Sequence, residues 1–339
     1  FHIPAFLEGG RTTENGIHYL NGIPVHMTDF GRDQLFGFTT SNLAKWIEEK
    51  SCGIIQVHNI LHLDIKKLDM ALDNEDGFQS LVNFLSQLEN NISVIVDAKL
   101  PDHLDILSKA IKIISHEKRF IFRTAASFIN SLSGLLPNPK STAELVSLKS
   151  KNIDCKYKPG LIMVGSHVQL ATDQLEILLT DNSCEGLEIP VRKLAGILAF
   201  EKYQELILDL ESSLLLKIEG MLDRKKVPVL YTTREEMQFS SNLERMNFGL
   251  ELAGFMAILV GKITNKLGYI ISKGGITTQL LLQKGLKLNQ VNLKGQILPG
   301  LSIVQSISDE NNLPVITFPG NLGNDQTLLE SYKLMENYC

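Results

Sequence analysis

The sequence predicts an α/β fold with two domains, each a largely parallel sheet flanked by helices. Three observations carry that expectation. Short apolar runs rich in Ile, Val and Leu alternate with helix-period segments along most of the chain, the pattern of parallel sheets wound with crossover helices. A length of 339 residues suits two domains of ordinary size, each able to bury a core. A breaker cluster, Leu136-Pro137-Asn138-Pro139-Lys140-Ser141, leads into a polar stretch ending at Lys158-Pro159-Gly160. We place the boundary there, with domains at 1–150 and 151–339.

In the first domain, strands are predicted at 53–57, 92–97 and 119–123, where β-branched or aromatic residues run together. Helices fill 41–50, 77–88, 104–115 and 125–132, where apolar residues return at helical spacing. The second domain opens with the buried run Leu161-Ile162-Met163-Val164, followed by strands at 186–189, 227–231, 268–271 and 314–318. Long helices are expected over 200–223 and 242–263. No repeat, low-complexity tract or heptad pattern interrupts the series.

Composition narrows the function classes. Hydrophobic residues make up 44% and charged ones 21% of the chain, as in globular proteins. A net charge of −5 gives no electrostatic reason to expect nucleic acid or an anionic membrane as partner. The four cysteines (Cys52, Cys155, Cys184 and Cys339) are scattered without a CxxC pair, so neither zinc nor a disulfide framework is indicated. A cytoplasmic location is the natural expectation. No signal peptide is visible, and the longest apolar stretch, from Leu250 to Val260, is too short to span a bilayer and contains Glu251. The chain begins with Phe1 and reads like the middle of something, so an N-terminal segment is expected to be missing.

The stretch richest in chemistry is Ser272-Lys273-Gly274-Gly275-Ile276-Thr277-Thr278. It follows a buried run and opens a helix, with two glycines that let a ligand approach the backbone. Free amides at the positive helix end make it an anion cradle fit for phosphate; the same elements also make an ordinary strand-to-helix turn. Three further strand ends carry small or polar groups: Gly165-Ser166-His167, Thr232-Thr233-Arg234 and the loop from Pro319-Gly320-Asn321 to Asp325. In an open parallel sheet such ends converge on a ligand crevice.

In the first domain, Gly9-Gly10-Arg11-Thr12-Thr13 offers a guanidinium and hydroxyls for a carboxylate or phosphate, or else a solvated surface turn. Arg123, at a strand end, is either a site residue or one half of a structural ion pair. Asp29 and Asp33 flank Arg32 and read as metal or substrate ligands, or simply as loop acids. Walker A, GxGxxG, protein-kinase, GxSxG and HExxH patterns are all missing from the sequence. The eight histidines have no metal-ligand spacing, and His167 beside Ser166 does not make a hydrolase pair.

Taken in order, these motifs resemble the four-carbon acid sugar kinases, which include the 3-oxo-tetronate, D-threonate and D-erythronate kinases. Pro4-Ala5-Phe6, Gly9-Gly10-Arg11-Thr12, Phe36-Gly37-Phe38 and Phe122-Arg123-Thr124-Ala125 match the sugar-binding domain. Gly165-Ser166-His167 with Thr172-Asp173-Gln174-Leu175 matches the nucleotide-binding domain. So do Lys273-Gly274-Gly275-Ile276-Thr277, Gly295-Gln296-Ile297-Leu298-Pro299-Gly300 and Phe318-Pro319-Gly320-Asn321-Leu322-Gly323. The resemblance covers nearly the whole chain.

It implies ATP-dependent phosphorylation of a small sugar acid, with Mg²⁺ on the phosphates and an active site in the cleft between the domains. It assigns Ser166, Gly274, Gly275, Ile276, Thr277 and Gly320 to the nucleotide, and Arg11, Thr12 and Arg123 to the substrate. Ile276 departs from the acidic residue many members have there, which leaves the backbone role of that position. The family's Asp-Asp-x-Thr-Gly segment does not occur in this sequence. Its aspartate would supply the general base, so the chain is expected to be an N-terminal truncation. A second expectation is a catalytically impaired binding protein on the same scaffold. The expected partners are the sugar acid and a second copy of the chain as a homodimer.

Overall fold

Backbone contacts divide the chain into two units, Phe1–Pro137 and Asn138–Cys339. The structure, a computed structural model of the chain, describes residues 1–32, 37–134, 140–198, 203–234, 237–308 and 312–336. Asp33, Phe36, the breakers at 136–139, Phe200 and Cys339 lie outside the described residues. Residues 140–150, expected in the first domain, group with the second unit. The reason is local. Ser141 and Glu144 form a capping box that starts helix Thr142–Ser147. Leu145 of that helix is buried with Leu328, Tyr332 and Met335 of the last helix, and Lys149 pairs with Glu336 at 2.8 Å.

The first unit contains strands β1 (His2–Ile3), β2 (Arg11–Glu14), β3 (Ile17–Leu20), β4 (Ile23–Pro24), β5 (Ile60–Leu63), β6 (Ser93–Val96) and β7 (Arg123–Thr124). Four of them make a parallel sheet in the order β5-β6-β1-β7. Ile3, Leu63, Val94 and Val96 bury against Leu81, Leu85, Leu104 and Leu107 of helices Glu75–Ser86 and Pro101–Ile114. β2, β3 and β4 form a separate antiparallel sheet. Two expectations fail here. Residues 53–57 form a turn and not a strand, because Cys52 and Gly53 take left-handed φ of 52° and 79° and Ile54 stands 85% exposed; the strand follows as β5. The strand expected over 119–123 shortens to β7, since β1 offers only two residues to pair with.

The second unit contains β8 (Gly160–Val164), β9 (Cys184–Ile189), β10 (Val227–Thr232), β11 (Tyr269–Lys273), β12 (Val291–Leu298), β13 (Leu301–Ser306) and β14 (Val315–Phe318). Their order is β12-β13-β14-β11-β8-β10-β9. The five strands from β14 to β9 are parallel, and β12 and β13 join antiparallel at one edge. Successive residues of β8 fill opposite faces: Leu161 and Met163 enter one core, Ile162 and Val164 the other. A strand covered on both sides reads as an unbroken apolar run, as this one does. From β8 the chain moves out to β9 and back through β10, then crosses to β11 and β14 on the other side. The direction of winding reverses between β8 and β11, the place where open α/β sheets leave a crevice at their carboxyl ends. Among the described residues, no helix is long and apolar enough to cross a membrane.

Candidate functional site

Each unit holds one group of site residues. In the second unit, β11 ends at Lys273 and the chain enters helix Gly275–Leu280 through Gly274. Gly274 has φ of 122°, a conformation that side-chain-bearing residues rarely adopt. Its N–H donates to Phe318 O at 2.8 Å, so it continues the sheet ladder and is not a phosphate donor. The first intrahelical bond is Thr278 N–H to Gly274 O at 2.9 Å. The N–H groups of Gly275, Ile276 and Thr277 therefore precede it and have no carbonyl of the helix to donate to. The Thr278 hydroxyl donates to Ser272 O at 3.0 Å and Ser272 Oγ at 2.9 Å, fixing the helix to the strand it follows.

The other strand ends close around this turn. Gly165 N–H donates to Lys273 O at 3.1 Å. A Cβ on Gly274 would lie 3.0 Å from Thr277 Oγ1 and 3.5 Å from Ser166 N. A Cβ on Gly165 would collide with Thr277 Oγ1, and one on Gly320 with Ser166 Oγ. Ser166, Gly274, Thr277 and Gly320 thus form one cluster at the ends of β8, β11 and β14. Gly275 differs from its neighbours, since a Cβ there would meet no atom within 4 Å. Ile276 turns outward, 44% exposed. The loop after β14 is held by buried Gln174, whose amide donates to Leu322 O at 3.1 Å. At the end of β10, Thr232 bonds His167 Nε2 at 3.0 Å and Thr233 donates to Glu188 at 2.9 Å. Gly295 and Gly300 belong to the β12–β13 edge hairpin, apart from this cluster in the sheet order.

In the first unit, Arg11 and Arg123 line one cavity of about 200 Å³. Its walls include His2, His18, Phe30, Phe38, Ser41 and Trp46, and among the described residues no carboxylate lines it. Arg11 lies 5.2 Å from the Phe6 ring and 5.8 Å from that of Phe30, and Arg123 lies 4.5 Å from Trp46. Among the described residues neither guanidinium has an ion-pair partner. Both rest on aromatic faces, which leaves their N–H edges for an incoming anion. Burial presses Arg11 below its ordinary value. Burial, with Arg11 beside it, also lowers His18 to about 4, so that ring is neutral at pH 7. Thr12 is not among the lining residues; side chains alternate along β2, and Arg11 takes the inward place.

Sequence reasoning overlooked Lys273 as a site residue, as well as the aromatic supports Phe30 and Trp46. Lys273 is fully buried at the end of a strand. Its signal was a cation closing the apolar run Tyr269-Ile270-Ile271-Ser272. The aromatic supports left none, because the contacts are made between distant segments.

Comparison with known proteins agrees with this division. Residues 1–132 match a family model described as a sugar-binding N-terminal domain, and residues 161–328 one described as a nucleotide-binding C-terminal domain. The chain is 23% identical to D-threonate kinase of Salmonella typhimurium, over 99% of its own length and 73% of the relative's. A crystal structure from Salmonella typhimurium LT2, provisionally described as a tRNA synthase, shares the fold with a TM-score of 0.64. It has 14% identity, with coverage of 97% of this chain and 72% of that one. A DUF1537 protein of Haemophilus influenzae has a TM-score of 0.54 at 15% identity, over 99% and 73% of the two chains. With both domain models matched in order and a sugar-acid kinase relative spanning almost its whole length, the chain belongs to the four-carbon acid sugar kinase family.

Proposed function

We propose that this protein is an ATP-dependent kinase that phosphorylates a hydroxyl group of a small four-carbon sugar acid of the tetronate, threonate or erythronate type. The observation that carries the reading is the meeting of Ser166, Gly274, Thr277 and Gly320 at three strand ends where the sheet's winding reverses. Phosphoryl transfer asks the protein mainly to position the acceptor and to neutralise charge on the phosphoryl oxygens. The N–H groups of Gly275, Ile276 and Thr277 suit the second task. Gly275 has open space where a phosphate oxygen would approach.

Arg11 and Arg123 would hold the substrate carboxylate in the first unit, where two guanidinium groups share a cavity with no carboxylate among the described residues that line it. Thr12 has less support as a substrate contact than either arginine. Mg²⁺ would arrive with ATP and supply charge neutralisation on its phosphates. Among the described residues no cluster of three His, Cys, Asp or Glu could hold a metal, so no step here relies on a protein-held ion.

The test is an ADP-release assay on the purified protein with a panel of four-carbon sugar acids. Turnover with one of them, dependent on ATP and Mg²⁺, is the expected result. Calorimetric binding of ATP and sugar acid without turnover would support the alternative, a catalytically impaired binding protein on the same scaffold. Failure of either ligand to bind would remove both readings.

A further inference from the structure

Two cations at the proposed nucleotide cluster, a fully buried lysine and a partly buried arginine, lack among the described residues the partners their charge requires. Lys273 has no exposed surface. Its amine donates to Pro319 O at 3.3 Å and lies 3.9 Å from the centroid of the Phe318 ring. An ammonium carries three donors, and one long carbonyl bond with a ring face is thin replacement for water. Among the described residues Lys273 has no carboxylate partner. Arg234 follows the end of β10 and donates from Nη1 to Ser166 O at 2.5 Å. Its Nε and Nη2 are buried and, among the described residues, have no hydrogen-bond partner. Nearly all buried donors in folded proteins find an acceptor, so two such atoms on one guanidinium ask for an explanation.

We propose that Lys273 and Arg234 form a pair of phosphate-binding cations that takes up the polyphosphate chain of the nucleotide at the Ser166–Gly320 cluster. The inference rests on the nucleotide reading of that cluster and adds the charged groups that would make it selective for a polyanion. Arg234 is tied to the carbonyl of Ser166, and Ser166 adjoins Gly274 and Gly320. Lys273 immediately precedes Gly274 and bonds the carbonyl that precedes Gly320. A single polyanion at this point would give both cations the acceptors they lack.

Electrostatics fits the assignment. Burial first, and then Arg234, lowers Lys273 to about 7. Arg234 is itself lowered by burial, against upward pulls from Tyr231, Glu176 and Glu188. No group raising Lys273 accompanies these. A bound anion would favour the charged amine, so above pH 7 binding would bring a proton with it. A lysine buried only for packing would show no such uptake.

The experiment is titration calorimetry at pH 8 with ATP and with inorganic tripolyphosphate, in two buffers of different ionisation enthalpy. Lys273→Met and Arg234→Gln are compared with the wild type on the full chain, with circular dichroism as the check on folding. Wild type should bind both ligands with proton uptake. Each variant should weaken both by about 10- to 100-fold, the loss of one charge-assisted bond, and Lys273→Met should abolish the uptake. Arg234 is only partly buried as a residue, so its variant gives a reading even where Lys273→Met does not fold. Folded variants that bind within about twofold of wild type would overturn the proposal, as would wild type that ignores tripolyphosphate. Should the cations act as described while no sugar acid is phosphorylated, the kinase reading fails and this one stands. Turnover with indifferent cations gives the reverse.

Discussion

At the scale of single residues, neighbouring glycines of one motif do different work. Gly274 supplies a backbone conformation, with φ of 122°, while Gly275 supplies space. Gly274→Val would therefore unsettle the turn whether or not a ligand binds there. Gly275→Val is the cleaner probe, because its side chain meets no protein atom within 4 Å of Cβ. It should leave the fold intact and weaken ATP binding by about tenfold or more, the equivalent of about 1.4 kcal/mol. Unchanged calorimetric affinity in the folded variant would remove Gly275 from the phosphate site.

Lys273 gives a second prediction at this scale. Its folded-state value of about 7 lies below the ordinary 10.5, so the unfolded chain binds more protons between those limits. Stability of the unliganded protein should consequently rise as pH climbs from about 7 towards 10. Below pH 7 both states carry the proton and the burial cost is present in full. Lys273→Met should flatten this rise and melt higher than wild type at pH 7. A lysine kept for its contact with Phe318 would predict a lower melting temperature instead.

At the scale of elements, the joint between β11 and the helix after it depends on the Thr278 hydroxyl. It spans Ser272 O and Oγ, and both residues are buried. Thr278→Val keeps the shape and removes the bonds, leaving Ser272 Oγ without this donor. The expected loss is about 1–3 kcal/mol, read as a lower urea midpoint with an unchanged slope; no shift would mean that the joint is held by packing alone.

The same scale shows which parts of the structure were legible in the sequence. Long apolar runs such as Leu161–Val164 predicted the central strands because burial on both faces writes itself into every residue. The hairpins were harder. Their strands mix exposed and buried residues, as Val291–Leu298 does. A signal was nevertheless present for β2–β4, since Asn15-Gly16 and Asn21-Gly22 take the left-handed φ of tight hairpin turns. The cluster of Ser166, Gly274, Thr277 and Gly320 was foreseeable from strand ends, because sheet topology fixes where those ends go. Thr12 could be placed only once strand β2 and its alternation were known. The support of Arg123 by Trp46 is a contact between distant segments, which local patterning does not record.

At the scale of the whole molecule, the proposed function has the two units divide recognition by chemistry. The first offers a cavity of about 200 Å³ bearing two guanidinium groups on aromatic rings. The second offers glycine-lined strand ends with the buried Lys273 beside them. A molecule that reads two ligands with separate cores should lose them separately, because substitutions without shared partners act independently. Arg11 makes ring contacts but no ion pair among the described residues, so Arg11→Ala should fold. It should weaken binding of a four-carbon sugar acid by about 10- to 100-fold, as expected for removing one charged partner of a carboxylate, while ATP affinity stays within about twofold. Gly275→Val should show the opposite pattern. Thermal-shift titration of both variants with each ligand alone tests this division. If Arg11→Ala weakens both ligands equally, the units do not recognise their ligands separately, and the assignment of the carboxylate to the Arg11–Arg123 cavity loses its basis.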